Sequence, residues 1–204
     1  MDTEVITGII ADQMFDVLAS QSVLELGPFN GWFTKQILNY TDRVTCVEFN
    51  DGACDTISDT FRDSVTVVNE DFHAYVKTAK QFDAVVVYGV LYHSCAPLMV
   101  LEDIANQISP KYILLESHHH DPEYPHNVKV NMEIPNLPGE RYADSKTCGI
   151  SLSLSKTVME LAVNNLGYIK QREFNLADSF RFHSNQSPFA KSKESSIYLL
   201  FEKA

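Results

Sequence analysis

The sequence predicts an open α/β fold: a seven-stranded, mostly parallel sheet with an antiparallel last strand and helices on both faces. Three observations predict it. Short apolar runs rich in β-branched residues recur along the 204 residues and alternate with segments of helical period. The run from Phe82 to Tyr88 is the most continuously apolar, as expected of a strand buried on both faces. The last two strand-like runs are joined without a helical period, which favours an antiparallel pairing, because a parallel return needs a crossover.

The elements follow in order. Ser22–Gly27 is the first strand, and Asn30–Tyr40 is a helix with Phe33, Ile37 and Leu38 on one face. Arg43–Glu48 is the second strand, followed by a helix over Asp51–Arg62. Ser64–Asn69 is the third, followed by a short helix near His73–Lys80. Phe82–Tyr88 is the fourth strand. Pro97–Ser109 reads as a helix with Leu98, Leu101, Ile104 or Ala105, and Ile108 inward, and Pro110 stops it before the fifth strand, Lys111–Glu116. Five strands alternating with helices imply βαβ units and a sheet covered on both sides. From His118 to Ser153 the pattern breaks into a polar stretch holding Pro122, Pro125, Pro135 and Pro138, read as an inserted substrate-side loop at about 118–153. Ser155 then caps a helix over Lys156–Leu166 that ends at Gly167. Tyr168–Phe174 and Ser196–Phe201 are the closing strands, joined by the polar and aromatic stretch Asn175–Ser195. Residues 8–19 are helical in pattern, apolar on one side, and could cap a ligand. One domain over 1–204 is expected.

Composition bounds the function. Hydrophobic residues at 45% and charged residues at 21% suffice for a full core. Sixteen Lys+Arg against 27 Asp+Glu give a net charge of −11, which argues against broad binding to a phosphate backbone while leaving room for a local basic patch. No apolar run approaches the roughly 18–20 residues that span a bilayer. The start, MDTEVITGIIADQMFD, carries acids where a secretory signal carries Lys or Arg. Cys46, Cys54, Cys95 and Cys148 are scattered without a CxxC pair, which fits neither a zinc ribbon nor a disulfide framework. A soluble, cytoplasmic protein is the expectation, with no membrane contact and with nucleic acid disfavoured as a partner.

The sharpest motif is Val23-Leu-Glu-Leu-Gly-Pro-Phe-Asn-Gly-Trp-Phe33. It sets a carboxylate, Glu25, near the end of the first strand and Gly27 and Gly31 in the turn to the first helix, where a ligand can lie against bare backbone. Glu48 closes the second strand about 23 residues after Glu25, near the ~20-residue spacing at which an acid meets ribose hydroxyls. Asp71 closes the third strand, with Phe72 beside it. A dinucleotide fold asks for G-x-G-x-x-G and a P-loop for G-x-x-x-x-G-K-[ST]; neither is present.

On these residues the chain resembles the class I S-adenosylmethionine-dependent methyltransferases over roughly residues 20–202. Their acid and G-x-G-x-G motif is matched by Glu25, Gly27 and Gly31, with Phe29 in place of the middle glycine. Glu48 matches the second-strand acid, and Asp71-Phe72 matches the third-strand pair. Phe82-Asp-Ala-Val-Val-Val-Tyr-Gly-Val-Leu-Tyr-His93 matches the fourth-strand motif. The resemblance implies a Rossmann-like fold, S-adenosyl-L-methionine as cofactor and a methyl-transfer activity. It implies that Gly27–Gly31 passes beneath the methionine part and that Glu25 accepts from its amino group. By the same resemblance Glu48 takes the ribose hydroxyls, Asp71 and Phe72 meet the adenine, and Tyr88 and Gly89 lie near the reactive methyl. Helix N-terminal charge is the plainer role for Glu25 and Asp71.

For the acceptor side, His93 is the first candidate for base or positioning group, with Tyr92 as the neighbour that could orient substrate; a structural histidine near the next helix is the alternative. Glu116-Ser-His118-His119-His120-Asp121 could polarise an acceptor through His118. The run could also hold a divalent metal, but adjacent histidines in an extended segment point in opposite directions, so at most two could converge; a substrate-contacting loop is preferred and no metal is assigned. The aromatics Tyr124, Tyr142, Phe180, Phe182 and Phe189, with Lys129, Arg141, Arg181 and Lys191, suit a lid over a flat or anionic small acceptor. A small molecule methylated on oxygen or nitrogen is the leading acceptor. RNA is the rival, because Gly89-Val-Leu-Tyr-His93 is similar to wording in tRNA wobble-uridine alkylating enzymes, and a non-catalytic sensor or partner subunit is a third reading.

Overall fold

The structure, a computed structural model, describes residues 3–117, 128–132, 150–175 and 196–204. Its main sheet has seven strands: β1 Val23–Leu26, β2 Val44–Glu48, β3 Val65–Asn69, β4 Ala84–Val87, β5 Tyr112–Ser117, β8 Tyr168–Asn175 and β9 Ile197–Lys203. A separate antiparallel hairpin pairs β6 Val128–Met132 with β7 Ile150–Leu154. The order is β3-β2-β1-β4-β5-β9-β8, and β9 alone runs against its two neighbours. The central strands β1 and β4 are buried along their whole length.

Successive residues of each strand feed opposite layers. Leu24, Leu26, Val85, Val87, Ile113 and Leu115 pack against α5 (Pro97–Asp103) and α6 (Lys156–Asn165). Val23, Cys46, Val86 and Leu114 pack against α1 (Thr3–Met14) and α2 (Trp32–Ile37). Helix α1 buries Ile6, Ile10, Ala11 and Met14, an i, i+4, i+5, i+8 stripe. It starts earlier and stops sooner than the 8–19 pattern suggests, because Phe15 and Leu18 turn into the core and Arg172 clamps Asp16. The helix rests on α2, β8 and β9.

Three further elements differ from the sequence pattern. Helix α2 begins only at Trp32, because Gly31 is left-handed, and closes through tight Asn39 and Tyr40 amide bonds. After α3 (Asp51–Phe61), helix α4 is a single turn, Phe72–Tyr75, that unwinds through i to i−3 bonds at Lys77 and Thr78. In α5, Leu98 is 47% exposed and Val100 is buried in the core in its place, with Leu101, Ile104 and Ile108 as expected. The inserted stretch also contains a hairpin where no strand was expected. Its alternation is inverted relative to a normal surface strand: Ser151 and Ser153 face inward while Val128, Val130 and Ile150 face out. The hairpin is pinned to the main body by the Leu152 amide donating to the Ser94 carbonyl at 2.8 Å. Ser155 caps α6 as read, accepting from Val158 N. Among the described residues no helix is long and apolar enough to cross a membrane.

Strand order reverses between β1 and β4, so the loops leaving their carboxyl ends diverge and open a crevice. The β1–α2 turn that forms one wall is left-handed at Gly27 (φ 64°), Phe29 (φ 54°) and Gly31 (φ 77°). A Cβ on Gly27 would lie 2.5 Å from Val90 Cγ2, and one on Gly31 would run into the Phe61 ring. Strain and collision therefore act together at Gly31. Gly31→Ala is expected to cost more than about 2 kcal/mol of stability. Phe29→Gly, which relieves left-handed strain while loosening the unfolded chain, should stay within about 1 kcal/mol of wild type. Urea-unfolding midpoints of the two variants check both.

Candidate functional site

The residues the motif analysis singled out gather at the carboxyl ends of β1, β2 and β4 and in the turns that follow. Glu48 ends β2 and is 5% exposed. Its Oε2 accepts from the Phe29 amide at 3.1 Å, and its Oε1 accepts from the Phe49 and Asn50 amides at 2.9 and 3.0 Å. The acid on β2 thus holds the glycine turn of β1, including the position where Phe29 stands for a glycine. Phe29 takes the left-handed conformation a glycine would favour there, and its ring is 42% exposed.

Glu25 lies one residue short of the end of β1 and is 3% exposed. The Thr34 hydroxyl donates to its Oε2 at 2.6 Å, with the Cys46 thiol at 3.7 Å. Desolvation by burial, reinforced by the Glu48 charge and opposed by those two donors, pushes its carboxyl from the usual 4.5 up to about 7.

Asp71 caps α4. Its Oδ1 accepts from the His73 amide and from His73 Nδ1, both at 2.8 Å. The other ring nitrogen, Nε2, lies 2.7 Å from Ser94 Oγ, which in turn accepts from the Ala96 amide at 2.9 Å. With Nδ1–H given to the carboxylate, the Ser94 hydroxyl donates to Nε2. Sequence reasoning missed His73 and Ser94, since no linear motif links them. The set has the composition of a nucleophilic triad, but Ser94 is 0% exposed, so it tethers the β3 and β4 loops rather than attacking a substrate.

On the acceptor side, Gly89 has φ 76°, and a Cβ there would lie 3.8 Å from both Glu116 Oε2 and the Tyr92 hydroxyl. Tyr92 and His93 are half-buried in a 3₁₀ turn, Leu91–His93, their rings 4.4 Å apart. Glu116, near the end of β5, accepts from the Tyr198 hydroxyl at 3.2 Å. Leu91, Tyr92, Glu116, Leu152, Ser153, Leu154 and Met159 line a small recess between this turn and the hairpin.

Two of the expected site residues have side chains packed in the core. The Tyr88 side chain leaves the crevice for the core, packing 5.8 Å from Phe15, 5.0 Å from Phe33 and 5.1 Å from Tyr198. It shares a face with Val86, because strand residues alternate, so Gly89 rather than Tyr88 borders the crevice. Phe72 is buried in the core, with one ring face stacked on His73 at 4.1 Å. His118 and the His118–His120 run lie outside the described residues. So do Tyr124, Tyr142, Phe180, Phe182, Phe189, Arg141, Arg181 and Lys191, while Lys129 stands exposed on β6.

Glu25 makes stability pH-dependent with a defined sign. Between 4.5 and about 7 the folded chain keeps a proton that the unfolded chain has lost, so stability falls as pH rises through that window. The full loss is on the order of 3 kcal/mol above it. Glu25→Gln should flatten this contribution, so that the variant gains on wild type between pH 5 and pH 8 in denaturant unfolding.

The family model described as ribosomal RNA adenine dimethylase matches residues 1–146. A comparison with curated protein sequences finds no match. Among solved structures, the N-terminal domain of EvdMO1, determined in the presence of S-adenosylhomocysteine (SAH) and D-fucose, aligns with a TM-score of 0.65 at 18% identity, over 97% of this chain and 82% of that one. The N-methyltransferase NodS from Bradyrhizobium japonicum WM9 gives 0.65 at 15% identity over 98% and 96%. The glycopeptide N-methyltransferase MtfA gives 0.65 at 15% identity over 100% and 91%. These likenesses carry the fold, and the match over residues 1–146 carries the family. Sheet order, glycine turn and strand-end acids agree with both: the chain belongs to the ribosomal RNA adenine dimethylase family and is a class I S-adenosylmethionine-dependent methyltransferase.

Proposed function

We propose that this enzyme methylates a small-molecule acceptor on oxygen or nitrogen, and that its 204 residues act as one catalytic domain. The observation that carries the reading is the pair of buried carboxylates, Glu25 and Glu48, flanking a left-handed turn at the β1/β4 crevice. That pair of acceptors fits S-adenosylmethionine, which bears an ammonium, a sulfonium and two ribose hydroxyls and supplies a methyl group activated for transfer. Glu25, its carboxyl raised to about 7 by burial, is drawn to its charged form when an ammonium pairs with it. Glu48 has lone pairs left for ribose hydroxyls beyond the three amides it already receives. Asp71, held by His73, faces the adenine amino group. Gly27, Phe29 and Gly31 line the methionine side, and Phe72 supports the adenine side from within the core.

Little acid–base chemistry is asked of the protein, because alignment of acceptor and methyl donor supplies most of the acceleration. Tyr92 and His93, next to Gly89, orient the acceptor or take its proton. The net charge of −11 supports a small acceptor over a polyanion. The reading on RNA draws on the description of the matching family.

Two experiments test this. Glu48→Ala should weaken S-adenosylmethionine binding by roughly tenfold to a hundredfold, the loss of charged hydrogen bonds at ~1.5–3 kcal/mol; an unchanged calorimetric dissociation constant removes the assignment. Methyl label offered together with a low-molecular-weight metabolite extract and bulk RNA should enter the metabolites. Label in RNA favours the nucleic-acid reading, and binding without transfer to either favours a sensor.

A further inference from the structure

We infer that His73 sets the base selectivity of this enzyme: its imidazole, strung between Ser94 and Asp71, is the positioning residue that aims the Asp71 carboxylate at a 6-amino purine and against a 6-oxo one. The inference rests on the methyl-transfer reading above, in which Asp71 meets the adenine amino group, and adds a residue that no linear motif marks.

The backbone places Asp71 first. The Glu70 amide donates to the Glu48 carbonyl at 3.0 Å, so the segment carrying Asp71 continues directly from the buried acid that ends β2. Asp71 then caps the single turn α4, and its Oδ1 accepts from the His73 amide at 2.8 Å. Capping asks for that bond alone. A second donor on the same oxygen, His73 Nδ1 at 2.8 Å, is one the helix does not need. Two donors on one oxygen fix a terminal torsion that is otherwise broad.

The imidazole is itself held from several sides. Its Nε2 lies 2.7 Å from Ser94 Oγ, and the buried Phe72 ring stacks on it at 4.1 Å with 24° between the planes. Ser94 is a firm anchor at 0% exposed. Its amide donates to the Leu91 carbonyl at 3.0 Å, its Oγ accepts from the Ala96 amide at 2.9 Å, and its carbonyl accepts from the Leu152 amide at 2.8 Å. The donors in this row all point one way: Ala96 N–H to Ser94 Oγ, Ser94 O–H to Nε2, Nδ1–H to Asp71. Bonds in such a series polarise one another toward the carboxylate. The His73 side chain is 28% exposed against 40% for Asp71, so the imidazole is the inner, buttressing member and the carboxylate the outer one.

A carboxylate is acceptor-only: it receives the exocyclic amino group of adenine and repels the O6 lone pairs of a 6-oxo purine. That discrimination depends on aim, because a hydrogen bond weakens steeply as its angle closes. Ser94 is too buried to touch a nucleoside, and both ring nitrogens of His73 are engaged, so neither reads the base itself. Both act through Asp71.

The test is calorimetric binding, by the whole chain, of S-adenosylhomocysteine and of S-inosylhomocysteine, its deaminated counterpart. Wild type should prefer the adenosyl compound by about thirtyfold or more, the scale of one hydrogen bond to a charged group. His73→Phe keeps the stack on Phe72 and removes both nitrogens. It should lower that preference by about tenfold or more while affinity for the inosyl compound stays within about threefold of wild type. His73→Ala carries the same expectation should His73→Phe not fold. His73→Asn, whose side-chain amide sets a donor where Nδ1 stands, should restore the preference to within about threefold of wild type. A merely structural role for His73 weakens both ligands alike and leaves the ratio unchanged, and that result overturns the proposal. So does His73→Asn behaving like His73→Phe, or a wild type that binds both compounds equally. Asp71→Asn separates this inference from the reading beneath it, because it should abolish the preference. If the preference survives in Asp71→Asn, the adenine assignment of Asp71 fails and His73 loses its role with it. If wild type binds neither compound, the methyl-transfer reading itself falls, and this proposal with it.

Discussion

The hydrogen bond from the Phe29 amide to the Glu48 carboxylate is the contact on which the site depends. The β1–α2 turn must leave the sheet abruptly, and it does so with three left-handed residues, one of which is a phenylalanine. Holding an L-residue there costs roughly 1–2 kcal/mol. A hydrogen bond to a charged acceptor contributes about 1.5–3 kcal/mol and offsets it. The Gly27 amide donating to the Val47 carbonyl at 2.9 Å ties the same turn to the same neighbouring strand. Strand β2 therefore both flanks the crevice and enforces the shape of its wall.

A second theme is negative charge withdrawn from water. Glu25, Glu48 and Glu116 are all buried, and all stand near carboxyl ends of sheet strands. Each is partly satisfied by donors from a neighbouring element: Thr34 for Glu25, backbone amides for Glu48, Tyr198 for Glu116. Neutral donors soften the desolvation cost, which at Glu25 still raises the carboxyl to about 7.

The Asp71–His73–Ser94 chain shows how the loops beyond those strand ends are held together. It joins the turn after β3 to the segment after β4, and the Ser94 carbonyl passes the connection to Leu152 of the hairpin. The loops after β3 and β4 and the hairpin are thus linked through a chain of part-buried hydrogen bonds. The hairpin, although inserted between β5 and α6, is tied to the turn after β4 through that contact and through the recess that Ser153 and Leu154 share with Leu91 and Tyr92.

The alternation of buried runs with helical segments determined the sheet, its reversed last strand and the crevice, because side-chain period and burial are local properties of a chain. Gly27, Gly31, Glu25, Glu48 and Asp71 were legible for the same reason: a strand, its turn and its closing acid are contiguous. The inward serines of β7 and the shift from Leu98 to Val100 were not, since an inverted or phase-shifted face is defined only by what covers it. Nor could the sequence send Tyr88 to the core, join His73 to Ser94 across 21 residues, or bring Tyr198 to Glu116 across 82. Those placements follow from strand order and register, which set long-range distances that no short stretch of sequence encodes.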